Sequence, residues 1–207
     1  YFSATLSGSS YLNLKEYMQL EGYAYRLLPV KVPGASDGYV NADIMYDKLM
    51  NKMFWRELDN ENTYYDNTYL GSPVFSARIA FLRLIGQLIQ DGKMDQAKKA
   101  MDKILTVMPD KSIPYDQIST YYIGTLFELG ENKRALEIAQ TMATRSDENL
   151  TWSKENGTTK RRDSNMDLSI LQTIVHSCRE AKQEDAAKKY EAIFQKHLAA
   201  FNMYGAQ

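Results

Sequence analysis

The sequence predicts an all-α fold of about three helical hairpins, with an N-terminal, partly extended segment and a helix packed on them. Three observations carry this. Apolar residues recur at three- and four-residue intervals from Val74 onward. Residues 84–109 and 122–142 read as one helix–turn–helix unit written twice. The turn glycines of the two copies, Gly92 and Gly130, are each followed five residues later by an alanine, Ala97 and Ala135.

Taken in order, residues 11–18 have helical character and end near Gly22. Residues 23–32 carry Tyr, Leu and Val and close on Pro29 and Pro33, which favours an extended segment. Residues 34–38 form a turn. Asn41 or Asp43 caps the next helix, where Tyr46, Leu49, Met50, Met53 and Phe54 make an apolar stripe running to about Glu57. Residues 59–73 are a loop of Asn, Asp and Tyr. In the first hairpin, Ile79, Leu82, Ile85, Leu88 and Ile89 line the opening helix and Asp91-Gly92 ends it. Asp95 caps the second helix, Ala97, Met101, Ile104 and Leu105 form its inner stripe, and Pro109 stops it. The second hairpin, residues 115–144, draws on Tyr121, Tyr122, Leu126, Phe127, Ala135, Ile138 and Met142. A third pairs residues 166–179 with 185–202, placing Ala186, Tyr190, Ile193 and Phe194 in register and Ala181 where the turn glycine stood. These readings divide the chain into 1–72 and 73–207, with an exposed insertion near 145–165 whose Lys160-Arg161-Arg162 run is a solvated loop.

Small residues at these places resemble the tetratricopeptide hairpin, in which alanine lets two helices approach closely and glycine sharpens the turn. The resemblance implies an α-α superhelix with a groove lined by the first helix of each unit. With Gly92, Gly130 and Ala181 as equivalent points, the groove positions are Ile79, Leu82, Gly86, Ile89 and Gln90, then Gln117, Thr120, Gly124, Phe127 and Glu128, then Leu168, Leu171, Val175, Cys178 and Arg179. So many large apolar side chains exceed the patch a monomer leaves in water. Residues 44–54 are therefore expected to cover the groove in cis. Gly86 and Gly124 are read as points of close helix approach.

The chain has 207 residues, 44% hydrophobic and 25% charged, with formal net charge −1. That balance gives no field to draw nucleic acid. No uninterrupted apolar run reaches the length of a membrane span. Residues 1–10 lack a signal peptide's basic and apolar regions, and the start at Tyr1 reads as a piece of a longer chain. Phosphate-loop, dinucleotide-loop and His-Glu-x-x-His patterns are missing. The two histidines and lone Cys178 fall short of a structural zinc set, so no metal and no cofactor are expected. Cys178 reads as a buried small apolar residue, His176 as partly buried and His197 as a surface side chain. Asp43 and Asp47 read as surface charge. A cluster around Trp55, with Arg56, Asp59, Glu61, Tyr64, Tyr65, Asp66 and Tyr69, combines aromatic rings with acids as a sugar site does. Its competing reading is a loop anchored to the core by Trp55, Tyr64 and Tyr69. Asn149-Leu-Thr151 and Asn156-Gly-Thr158 fit the glycosylation acceptor pattern.

Residues 17–29 (Tyr-Met-Gln-Leu-Glu-Gly-Tyr-Ala-Tyr-Arg-Leu-Leu-Pro), 45–52 (Met-Tyr-Asp-Lys-Leu-Met-Asn-Lys) with Trp55, and Tyr65-Asp66-Asn67 resemble a bacterial family of large multi-span membrane proteins of uncharacterised function, similar to protein O-mannosyltransferases. The resemblance covers essentially the whole chain, and its most specific part is Glu-Gly-x-Ala-Tyr-Arg-Leu-x-Pro. It implies a soluble C-terminal region, membrane-attached and facing the periplasm, whose catalytic carboxylates belong to a membrane domain upstream. No catalytic residue transfers to this chain. The expected function is a non-catalytic protein-binding or scaffolding domain that engages a protein partner or acceptor polypeptide. The alternative is a carbohydrate-binding module for acceptor glycan, using Trp55, Tyr64, Tyr65, Asp66 and Tyr69. An enzyme in its own right is the third reading.

Overall fold

The computed structural model describes residues 1–6, 8–157 and 162–205. It is mostly helical, with a small four-stranded sheet that corrects the all-α expectation. Two compact units divide the chain, Tyr1–Pro114 and Tyr115–Gln207, so the boundary expected at 72/73 falls inside the first.

The sheet belongs to the first unit. Its strands are β1 (Phe2–Ser3), β2 (Met18–Glu21), β3 (Ala24–Leu27) and β4 (Tyr39–Val40), in the order β1-β3-β2-β4. β2 and β3 form an antiparallel hairpin that turns on Gly22 at φ +70°, with Met18 opposite Leu27 and Glu21 opposite Ala24. β4 pairs in parallel with β2. The helix expected over residues 11–18 is absent, because Leu12 and Asn13 hold left-handed backbone (φ 52° and 58°) and residues 18–21 pair as a strand. Gly38 is required at its turn: at φ +83°, a Cβ there would stand 2.7 Å from the Tyr25 ring.

Asn41 caps α1 (Ala42–Asp47), its side chain accepting the Ile44 N–H at 3.2 Å. The helix widens into a π-turn over Lys48–Lys52 and is extended again at Met53, short of the expected Glu57. Met45 and Leu49 are its core residues, whereas Phe54 is 81% exposed. After a loop and the short α2 (Asn67–Tyr69), a π-turn at Leu70–Val74 leads into α3 (Phe75–Gln90), which packs on α4 (Met94–Val107). The helical stretch Leu70–Gln90 is long and apolar enough to cross a membrane by length and composition, which the sequence reading did not foresee. Here it is the central helix of a packed unit: the buried Arg78 donates to the carbonyls of Ile113 (2.9 Å) and Pro114 (3.1 Å). α1 and β4 both contact α3, so the in-cis covering expected of the N-terminal segment is realised on this helix. Arg83 fastens it, donating to the Gly38 carbonyl (2.6 Å) and the Tyr25 hydroxyl (2.8 Å).

The second unit stacks two hairpins, α5 (Thr120–Glu128) with α6 (Asn132–Glu155), and α7 (Arg162–Glu180) with α8 (Glu184–Gly205). α6 continues through most of the stretch read as an exposed insertion. Ser146 and Leu150 are buried because they extend, at four-residue steps, the stripe begun by Ile138 and Met142. Lys160, Arg161 and Thr158 lie outside the described residues.

One turn geometry closes all three hairpins. Lys93, Glu131 and Gln183 donate their N–H groups to the carbonyls of Leu88, Leu126 and Cys178, each at 2.8 Å. Gly92, Gly130 and Lys182 donate to Ile89, Phe127 and Arg179 at 3.0, 3.0 and 2.9 Å. This is the paired Schellman pattern, and its left-handed residue sits at φ 71°, 78° and 57°. The following helix begins at once, so Asp95 lies inside the first turn of α4 and is not its cap. Five residues after each turn residue come Ala97, Ala135 and Ala187, all buried at the helix contact. The equivalent of Gly92 in the third hairpin is therefore Lys182, one place after the expected Ala181, and Ala187 replaces Ala186 in the register.

Candidate functional site

The shift at Lys182 redraws the predicted groove. Counted from Lys182, the third-hairpin positions are Ser169, Gln172, His176, Arg179 and Glu180; only Arg179 survives from the sequence-derived set. Leu171 and Cys178 are buried in the interior of the second unit, whereas Val175, though buried, still borders a groove along α7. This corrects the assignment of Leu171 and Cys178 as groove lining, and the reason is a single left-handed lysine one place after Ala181, where the turn residue was expected. His176 and His197 exchange their expected environments. His176 is exposed and lies 3.3 Å from Glu180. His197 is buried, and its Nε2 meets Asp147 Oδ1 at 2.5 Å, an oxygen that Lys196 also reaches at 2.8 Å.

In the second hairpin, Gln117 and Glu128 are exposed and Phe127 is half-buried, while Thr120 is buried and donates to the Gln117 carbonyl at 2.7 Å. Gln117 Nε2 donates to Ser169 Oγ at 3.4 Å, tying equivalent positions of the two hairpins together. A Cβ on Gly124 would stand 3.6 Å from Ser177 Oγ, an ordinary contact that accords with a close approach of α5 and α7. In the first unit Ile79, Leu82 and Ile89 are half-buried. A Cβ on Gly86 would meet only open space, contrary to the close approach expected there. Gly86 and Gln90 border a hollow of about 450 Å³ facing the 32–40 loop.

A groove of about 490 Å³ runs along α7 in the second unit. α7 lines it with Gln172, His176 and Arg179, α5 supplies Tyr121, and α8 supplies Glu191 and Phe194. Tyr121 is 58% exposed, though its periodicity placed it in the core. Arg179 Nη2 pairs with Glu191 Oε2 at 2.9 Å, which orients the guanidinium across the helix pair. The groove offers apolar faces, neutral hydrogen-bonding groups and internally matched charges. Its volume lies within the ~300–1,000 Å³ range of ligand clefts.

The aromatic cluster divides. Trp55 donates its indole N–H to the Leu49 carbonyl at 3.2 Å, satisfying an acceptor at the end of the first helix. Its ring rests 5.4 Å from Phe81 and 6.3 Å from Tyr23, centroid to centroid. The structure thus gives Trp55 the anchoring role that competed with sugar binding. Tyr65 and Tyr69 stack on each other at 5.1 Å, Asp66 accepts the Tyr69 N–H at 3.0 Å, and Tyr64 is 88% exposed. Among the described residues no three His, Cys, Asp or Glu side chains gather to hold a metal ion. Compared with protein-family models, curated proteins and solved structures, the chain finds no match.

Proposed function

We propose that the chain is a non-catalytic, tetratricopeptide-like binding domain that holds a polypeptide on the α5/α7 face of its second unit. The observation that supports this most directly is the repeated hairpin. One Schellman turn and one close-contact alanine recur three times, and in the second unit they turn Gln172, His176 and Arg179 outward beside Tyr121. Stacked helical hairpins present such faces to partners because their apolar residues are spent between helices, leaving the outer positions free to vary. In this reading the first unit caps a hairpin with a small sheet instead of a further repeat. The wider setting follows from the sequence resemblance: the soluble C-terminal part of a membrane-bound, glycosyltransferase-like protein on the periplasmic side, with catalysis in the membrane domain upstream.

The test is selection of a random-peptide library against the full 207-residue chain, followed by competition among the selected clones. Saturable binding by clones that displace one another is the expected result. Failure to select any saturable binder refutes the reading, as does turnover of a glycosyl donor by this chain alone.

A further inference from the structure

Within the first unit, the hollow of about 450 Å³ between α3 and the 32–40 loop has two features that folding alone does not require. The first is Gly86. Glycine weakens a helix interior relative to alanine, a cost that close packing can justify. No such packing exists here, because a Cβ on Gly86 would meet no atom within 4 Å. What the missing side chain leaves open is the hollow itself. The second feature is Arg83, which lines the same hollow. It is half-buried, yet both groups it bonds are neutral, the Tyr25 hydroxyl at 2.8 Å and the Gly38 carbonyl at 2.6 Å. No carboxylate among the described residues pairs with it. Asp37 feels its charge from farther off, but Lys15 already holds that carboxylate at 2.7 Å. A guanidinium carries several N–H donors in a fixed fork. The two bonds to Tyr25 and Gly38 set the orientation of that fork and leave its other donors for a further acceptor.

We propose that this hollow binds a small hydroxylated anion, its carboxylate or phosphate group on the Arg83 guanidinium and its hydroxyls against Gln90. Arginine meets either oxyanion with parallel N–H donors, and half-burial strengthens the pairing over one in open water. Gln90 is exposed at the border of the hollow, and its carboxamide both donates and accepts, as a hydroxyl does. The volume lies in the lower part of the ~300–1,000 Å³ range of small-molecule pockets. The site belongs to the first unit alone and does not rest on the binding reading above.

The experiment follows the backbone amides of the full chain by proton–nitrogen correlation NMR. Glucuronate, a hexose phosphate and neutral glucose are titrated into separate samples. Saturable shifts at Gly34, Gly38 and Gly86 are expected with at least one of the two anions and not with glucose, and the tighter anion identifies the oxyanion. Raising salt from ~50 mM to ~500 mM should weaken that binding. Gly86→Leu should fill the hollow without collision, hold or raise the urea midpoint, and weaken binding by about tenfold or more. Arg83→Gln should weaken it by about as much; because Arg83 also fastens the loop, Gly86→Leu decides if that variant does not fold. Shifts as large with glucose overturn the anionic class. Binding untouched by Gly86→Leu overturns the site, and binding kept by a folded Arg83→Gln overturns the role of the guanidinium. Failure of both anions to saturate below ~20 mM overturns the proposal outright.

Discussion

Exchanging the turn residues of the hairpins tests the register on which the site depends. Lys182 occupies left-handed backbone at φ 57°, where Gly92 and Gly130 sit in the other two turns. For a residue with a Cβ, that conformation costs about 1–2 kcal/mol. Glycine removes the cost but loses about 0.5–1 kcal/mol through the greater freedom of its unfolded chain. The Lys182 side chain is exposed, so its removal sacrifices no packing. Lys182→Gly should therefore stabilise the protein by about 0.5–1 kcal/mol. The reverse exchange, Gly130→Lys, should destabilise it by a similar amount. A Cβ built at Gly92 or Gly130 meets no atom within 4 Å, so the penalty comes from backbone conformation and not from collision. Urea midpoints measured at unchanged slope report both effects. The reasoning is refuted if Lys182→Gly lowers the midpoint, or if Gly130→Lys leaves it where it was.

Two further outcomes follow from buried ionisable groups. Burial works to raise the Glu21 carboxyl, but hydrogen bonds from Lys48 (2.6 Å) and Gln19 (2.7 Å), with the charges of Lys48 and Arg26, outweigh it and hold the group below its ordinary value. Its contribution to stability is complete above about pH 4.3, where an unfolded glutamate is ionised, and is lost as pH falls through the depressed folded value. Urea midpoints should thus fall more steeply on acidification in the wild type than in Glu21→Gln, and parallel acid limbs reject the assignment. Burial also pushes the Cys178 thiol up to about 11. Iodoacetamide at about pH 8 should leave the native protein unlabelled and alkylate it fully in guanidinium; prompt labelling of the folded chain contradicts the burial.

Much of the helical half was legible because its signals are local. Gly92 and Gly130 mark turns by backbone freedom, Pro109 stops a helix, and Ala97 and Ala135 mark close packing by size. What escaped was set by partners distant in the chain. Residues 18–21 carry no clean alternation, since β2 is buried on all four residues, Gln19 and Glu21 among them. Only pairing with β3 and β4 makes them a strand. The third turn was misplaced by one residue because lysine gives no hint of left-handed backbone. On a helix such a slip rotates the reading by about 100°. That is enough to mistake Leu171 and Cys178 for surface and to pass over Gln172 and His176. Trp55 was drawn to two roles by the same ring, and its anchoring contacts, Phe81 and the Leu49 carbonyl, could not be read from the sequence.

The indole of Trp55 against Phe81 bears on how the gene is to be dissected. A fragment started at residue 73 would strip that ring away, and with it the Leu58 carbonyl that accepts from Ser112 at 2.5 Å. It would bare the face of α3 that α1 and β4 cover, on an apolar helix with the length and composition to enter micelles or to aggregate. Trimming at 114/115 instead gives two pieces that each keep an interior.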